Sequence, residues 1–432
     1  MTTESGSQIS SSESIRNRIR AVEGAGLRTF MAGDPIVRAR TAGSTVVDAD
    51  GREYLDLYAG FAVASVGYCH PRVTAAIQQQ AEIMTHCPSA SPSELRAAFY
   101  ERLVAITPPG LDRVLLSITG ASANETAVQI ARCATGRDTV IAFAGGYFGR
   151  SAGSVGFAGK HRYRTALGVP GDAQFVPFPD PDRSPWANGD PGAAVLALLE
   201  EMLNDPASGV APPACILVEP IQGNGGVVIP PPGFLAGLRQ LASACGALLI
   251  FDEIQCGFGR SGRWWACEHE GVTPDLLTIG KGLGGGLPIS AVVGSDEAMR
   301  VLQPDTVTST FLANALSQAA AIATVDVMHE EGLVERSATL GRSALDRLDA
   351  ALSGHPAVGA IRGRGLFVGI EMVSGTDPDP AGAEAVVGRL RDRNIIVGRG
   401  GRFDNVVKLS PPLNIPEPEL TLALELIVEV IA

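Results

Sequence analysis

Histidine is scarce here: six residues in 432, none at a spacing that sets two imidazoles on one helix face, so a histidine-based metal site has no support. The seven cysteines form no C-x-x-C pair and are odd in number. That favours reduced, mostly buried thiols over a disulfide framework. No apolar run approaches the roughly 20 residues that span a bilayer. Basic residues are outnumbered 46 to 34, and a net charge of −12 argues against a nucleic-acid or anionic-membrane surface. Residues 1–14 hold six serines and no apolar stretch, the composition of a disordered tail rather than a signal peptide. These absences leave a soluble cytoplasmic protein. Its 45% hydrophobic residues allow a large core, and its length calls for a large domain plus a smaller one.

What is there begins with strand–helix alternation. Val46–Leu57 reads as a hairpin with Asp50-Gly51 in the turn. A helical pattern starts near residue 72, with Val73, Ile77, Ala81 and Met84 on one face. Short apolar runs follow as candidate strands at Arg113–Ile118, Thr139–Ala142, Ala214–Glu219, Ala247–Asp252, Leu276–Ile279 and Ile289–Gly294. Runs such as Cys215–Val218 and Leu248–Phe251 are apolar on both faces, as buried parallel strands are. The pattern predicts an α/β domain with a mainly parallel sheet over 66–330. Beyond 331 the character shifts to a small α+β domain (331–432), which the N-terminal segment 15–65 is expected to join. Its predicted parts are one amphipathic helix, a strand pair at Leu366–Met372 and Asn405–Leu409, and a terminal helix.

Two groups define the chemistry. Lys281 stands alone in the glycine-rich run Gly280–Gly286, twenty-nine residues after Asp252 in Phe251-Asp252-Glu253-Ile254-Gln255. An amine with little bulk around it forms a Schiff base with an aldehyde, and a carboxylate at a strand end keeps a pyridinium nitrogen protonated. Pyridoxal phosphate (PLP) needs both. Gln255, one short turn on, is placed to donate to the cofactor's phenolic oxygen. Thr119–Thr126 follows a strand and opens a helix, a seat for phosphate. Gly145–Ser151 sets Tyr147 and Phe148 in a glycine-rich loop beside Arg150, a ring to stack on a flat cofactor and a guanidinium to fork onto a carboxylate. Each has a plainer reading, as cap, core aromatic or surface charge.

Ile216–Gly223, Phe251–Arg260 and Leu276–Pro288 resemble the signatures of class III PLP-dependent aminotransferases, a family that includes ornithine, acetylornithine, 4-aminobutyrate and other ω-aminotransferases. The resemblance implies PLP fold type I: a large domain with a seven-stranded, mainly parallel sheet, a small domain from both chain ends, and a homodimer with shared active sites. It also implies that Lys281 is the Schiff-base lysine, Asp252 the partner of the pyridine nitrogen, and Gln255 the contact of the phenolic oxygen. Tyr147 stacks on the ring, Gly120 and Ala121 offer amides to the phosphate, and Ser122 is a further candidate there. Thr310 reaches the phosphate of the neighbouring subunit's cofactor, and Glu219 is a supporting carboxylate.

The departures bear on substrate. The family's Gly-Ser-Glu-Ala phosphate loop is Gly120-Ala121-Ser122-Ala123 here, and its Tyr-His-Gly is Tyr147-Phe148-Gly149. Glutamate-using members pair a glutamate, two residues after the Gln of Glu-Pro-x-Gln, with an arginine near the C-terminus. Those positions hold Asn224 and Lys408. An amide cannot neutralise a cation, and lysine gives no planar two-bond clamp, so the glutamate gate is expected to be absent. Phe61, Phe148, Arg150, Asn224 and Lys408 are the candidate substrate-binding residues. The expected function is transfer of an amino group from an amino acid or ω-amine to a keto acid. The rivals are an epimerase or racemase and a lyase on the same scaffold, or a binding protein that keeps the fold.

Overall fold

The computed structural model describes residues 11–27, 34–183, 185 and 189–432. Of the segment read as a tail, residues 1–10 lie outside the described residues. Ser12–Ser14 instead open a helix, Ser12–Arg20, because the Ser11 hydroxyl caps it by accepting from the Ser14 amide.

In chain order the strands are β1 (Arg38–Ala42), β2 (Thr45–Asp48), β3 (Glu53–Asp56), β4 (Arg113–Ser117), β5 (Thr139–Phe143), β6 (Gln174–Val176), β7 (Pro213–Val218), β8 (Leu248–Asp252), β9 (Leu276–Ile279) and β10 (Ser290–Gly294). β11 (Val358–Arg364), β12 (Phe367–Ser374), β13 (Asp377–Pro378), β14 (Ile395–Ile396), β15 (Gly398–Gly400) and β16 (Val406–Leu409) complete them. Seven form the central sheet in the order β4-β10-β9-β8-β7-β5-β6. Only β10 runs against its neighbours. The fold is therefore α/β with a large, mainly parallel sheet.

Side-chain alternation explains why this sheet is buried twice over. Ile141, Phe143, Ile216, Val218, Leu249, Phe251 and Leu277 face one apolar cluster, while Val140, Ala142, Cys215, Leu217, Ile250 and Leu276 face another. The helix Gly120–Thr135 covers the second face with Ala123, Ala127, Val128, Ile130 and Ala131. The helices Pro191–Asn204 and Phe234–Cys245 cover the first. Strands with two covered faces must be apolar throughout, and all six residues of β7 are buried.

Two smaller sheets flank this core. One is β11-β12-β16-β15, with β13 paired to β12. The other is β1-β2-β3-β14, in which Ile395 of the C-terminal region pairs in parallel with Leu55 of the N-terminal hairpin. The sequence pattern did not give β1, β6, β11, β13, β14 or β15. β6 and β15 have three residues each, too few to show alternation, and β11 carries Arg362 and Arg364 among glycines. No helix among the described residues is long and apolar enough to cross a membrane.

Candidate active site

The carboxyl ends of the parallel strands open into one cavity of about 580 Å3. Its floor is built by strand endings. β8 stops at Asp252, β7 is followed at once by Glu219, and β9 is followed by Gly280 and Lys281. Lys281 sits at φ +40°, a left-handed conformation that costs a β-carbon-bearing residue on the order of 1–3 kcal/mol. The turn Lys281–Gly284 thus holds its amine toward the cavity at an energetic cost.

Asp252 and Glu219 are buried, and each carboxylate oxygen accepts a hydrogen bond. Asp252 takes the Ile254 amide at 2.9 Å and the Asn124 side-chain amide at 2.7 Å. Asn124 is oriented for this because its oxygen accepts from the Thr278 hydroxyl at 2.9 Å and its NH2 also meets the Phe148 carbonyl at 3.1 Å. Glu219 accepts from the Tyr147 amide at 3.0 Å and the Gly223 amide at 3.1 Å. Burial pushes the Asp252 carboxyl above the ordinary carboxylate range, against the Ile254 and Asn124 hydrogen bonds. Burial and then the Asp252 charge push Glu219 up as well. Burial draws Lys281 below the ordinary lysine range, with the Lys408 charge adding to it while Asp252, Glu219 and Tyr58 oppose it. A lowered amine is neutral, and therefore nucleophilic, at a lower pH.

The wall beyond the floor brings together most of the remaining expected residues: Gly120, Ala121, Tyr147, Phe148, Arg150 and Gln255, with Phe61, Asn224 and Lys408 opposite. Gly120 and Ala121 are the first residues of the helix Gly120–Thr135, where backbone amides lack helical partners. A β-carbon on Gly120 would lie 2.8 Å from Ile254 Cδ1, so glycine keeps this end of the cavity open. Phe148 is a core residue by burial and shows only part of its ring to the cavity. Phe61 is 47% exposed and stacks edge-on against Tyr58 at 5.2 Å. Lys408 is buried, with Nζ donating to the Gly223 carbonyl at 3.3 Å.

Two expected residues are elsewhere. Ser122 does not line the cavity: it forms a capping box with Thr119, its amide donating to Thr119 Oγ1 at 3.1 Å and its Oγ accepting from the Thr119 amide at 3.1 Å, and Oγ also meets Ser117 Oγ at 2.6 Å. Thr310 is exposed on a turn outside this chain's own cavity. Residues that the motifs did not give are Asn124, Thr278, Tyr58 and Arg399. Asn124 had a signal: an amide on the face of Ala127, Val128 and Ala131, which a purely structural helix would fill with an apolar side chain. Among the described residues no group of three or more His, Cys, Asp or Glu is placed to hold a metal.

Within an acidic protein this cavity carries Arg150, Lys281, Arg399 and Lys408 against Glu219 and Asp252. An amine and a buried carboxylate that line one cavity with the free amides of a helix start fit an anionic aldehyde cofactor with a basic ring nitrogen. The site is of the PLP-dependent kind.

The comparisons specify the class further. The family model described as aminotransferase class-III matches residues 31–431. Acetylornithine aminotransferase of Mycobacterium tuberculosis (strain ATCC 25618 / H37Rv) is 38% identical over 390 residues, 89% of each chain. An alanine/serine racemase of Pyrococcus horikoshii is 32% identical, covering 94% of this chain and 86% of its own. The crystal structure of the ornithine aminotransferase of Toxoplasma gondii ME49 superposes with a TM-score of 0.85 at 32% identity, covering 98% of this chain and 96% of that one. The chain belongs to the class III aminotransferases and is a PLP-dependent transaminase.

Proposed function

We propose that this aminotransferase acts on a carboxylate-bearing amino acid or an ω-amine with a keto-acid acceptor, and that it lacks a glutamate gate. The observation that carries the reading is that Asn224 and Lys408 line the same cavity as Lys281, where a gated member would have a glutamate and an arginine. PLP, when bound, supplies an aldehyde that takes an amine and a ring that withdraws electrons from the bond being broken. Every other part falls to this chain. Lys281 would be the amine that holds the cofactor and the base that takes the Cα proton. Asp252, hydrogen-bonded by Ile254 and Asn124, would meet the ring nitrogen. Gln255 would meet the phenolic oxygen, Tyr147 would cover the ring, and Gly120 and Ala121 would receive the phosphate. Arg150 and Lys408 attract the substrate carboxylate.

Thr310, exposed in one chain, fits a contribution to a partner's cofactor in a homodimer. The same reading takes 66–330 as the cofactor-binding domain and 15–65 with 331–432 as the smaller one, supported by the β3–β14 pairing. A cytoplasmic location belongs to the same proposal. The racemase among the relatives keeps proton return to Cα as a second reading. Feeding amino donors with and without pyruvate, glyoxylate or α-ketoglutarate tests both. Turnover that needs the acceptor and is not confined to α-ketoglutarate is expected. Activity confined to α-ketoglutarate contradicts the missing gate, and Cα inversion with no acceptor contradicts transamination as the main reaction.

A further inference from the structure

We propose that Tyr163 is a specificity-determining positioning residue, holding Arg150 and Asn224 from behind the pocket wall so that both meet the substrate carboxylate. The inference rests on the reading of those two side chains as substrate-facing. Tyr163 lies on the short helix His161–Leu167 and is 9% exposed, and it is not among the residues lining the cavity. From there it touches three that are.

The Arg150 guanidinium carbon stands 4.1 Å from the centre of the Tyr163 ring and 5.9 Å from that of Tyr147. The two rings meet edge to face at 5.7 Å and 87°. The Tyr163 hydroxyl donates to Asn224 Oδ1 at 3.3 Å. That bond fixes the Asn224 amide with its oxygen occupied and its NH2 free to turn to the cavity. On the other side of the same turn the Asn224 carbonyl accepts from the Gly401 amide at 3.0 Å. Arg150 has no ion pair among the described residues, and its side chain is exposed. A long exposed guanidinium keeps one geometry only where something supports it. The tyrosine provides that support through its ring and a hydrogen bond to its hydroxyl, and leaves the other N–H groups of the fork for a carboxylate.

A second guanidinium, Arg162, lies 5.2 Å from the Tyr163 ring but is committed to Asp404. Tyr163 itself packs on Val155, Ala158 and Val169. The ring is therefore anchored independently of the groups it positions.

The test uses holoenzyme carrying Tyr163→Phe, Tyr163→Leu or Arg150→Gln. Three quantities are read: the dissociation constant of valerate, a carboxylate with no amine, by calorimetry; KM and kcat for a carboxylate-bearing donor and for a simple amine; and bound cofactor by absorbance. Arg150→Gln is expected to weaken valerate about tenfold, the loss of a charge-assisted hydrogen bond. Tyr163→Leu is expected to weaken it about fivefold and raise the donor's KM alike, with kcat, cofactor content and the simple amine's KM held within about twofold. Tyr163→Phe, which keeps the ring but loses the hydroxyl's bond to Asn224, should fall between the parent and the leucine variant for valerate. Should the leucine chain not fold, Tyr163→Met removes the ring at similar volume.

An unchanged valerate affinity in Tyr163→Leu, beside a loss in Arg150→Gln, overturns the role of Tyr163 and leaves that of Arg150. No loss in Arg150→Gln overturns both. Equal losses for the two substrates, or a phenylalanine variant as weak as the leucine one, also overturn the inference.

Discussion

On the floor of the cavity all four carboxylate oxygens of Asp252 and Glu219 accept hydrogen bonds from backbone or amide groups, none longer than 3.1 Å. On the wall, side-chain hydrogen bonds include Lys408 to Gly223 at 3.3 Å, Tyr163 to Asn224 at 3.3 Å, and Arg399 to Pro380 and Glu384 at 3.4 and 3.5 Å. The floor hangs on strand ends of a doubly covered sheet, while the wall is supplied by loops and short strands from distant parts of the chain. Groups that do the same chemistry on every substrate sit on the stiff side. The groups proposed to choose the substrate sit on loops and short strands, where small shifts are tolerated.

Substitution at the floor should therefore cost turnover, and substitution at the wall should redirect it. The largest effect is expected from Lys281→Ala, which removes both the covalent anchor and the base. Steady-state turnover should fall by about 10⁴-fold or more, and the cofactor's bound absorbance should change. Asn124→Leu comes next. It leaves Asp252 Oδ2 without its donor in a buried site, a loss of about 1.5–3 kcal/mol that predicts a kcat lower by about 10- to 100-fold. A kcat within twofold of the parent, in folded protein with cofactor bound, would show that the floor tolerates disorder after all.

At the wall, Asn224→Glu with Lys408→Arg rebuilds a carboxylate–guanidinium pair. The ratio of kcat/KM for α-ketoglutarate over pyruvate should rise about tenfold with little change in kcat for the preferred donor. The smallest effect expected is a displacement in pH. The Lys408 charge lowers Lys281, so Lys408→Met should raise it. Uptake of PLP by apoenzyme needs the neutral amine, so its rate climbs as pH rises through the Lys281 pKa. In Lys408→Met that climb should move to higher pH. A climb at unchanged or lower pH would mean that the two amines do not sense each other.

The floor was largely legible in the sequence, because each of its groups is the end of a local pattern: an apolar run, then an acid, or a glycine run around one amine. Asn124 was not, since its partner Asp252 is 128 residues away and only the packing of a helix on the sheet brings them together. Ser122 shows the opposite failure. A hydroxyl one position along from the family's serine looks available for phosphate, but the Thr119 amide takes it for the helix cap and Ser117 bonds it as well. Arg399 escaped because β15 has three residues in a glycine-rich run and shows no period to read. Lys408 was placed in the substrate wall by its motif alone, yet its burial beside Tyr58, at 5.6 Å from the ring, is a tertiary fact.

The chain holds only three lysines, Lys160, Lys281 and Lys408. Lys160 lies apart from the cavity, committed to Asp404 at 3.2 Å, and Lys408 is the second amine within it. Borohydride reduction of the holoenzyme followed by peptide mass spectrometry separates the three. A cofactor adduct confined to the peptide bearing Lys281 is the result expected. An adduct on Lys408 or Lys160, or none on any lysine in protein that transaminates, would contradict the account.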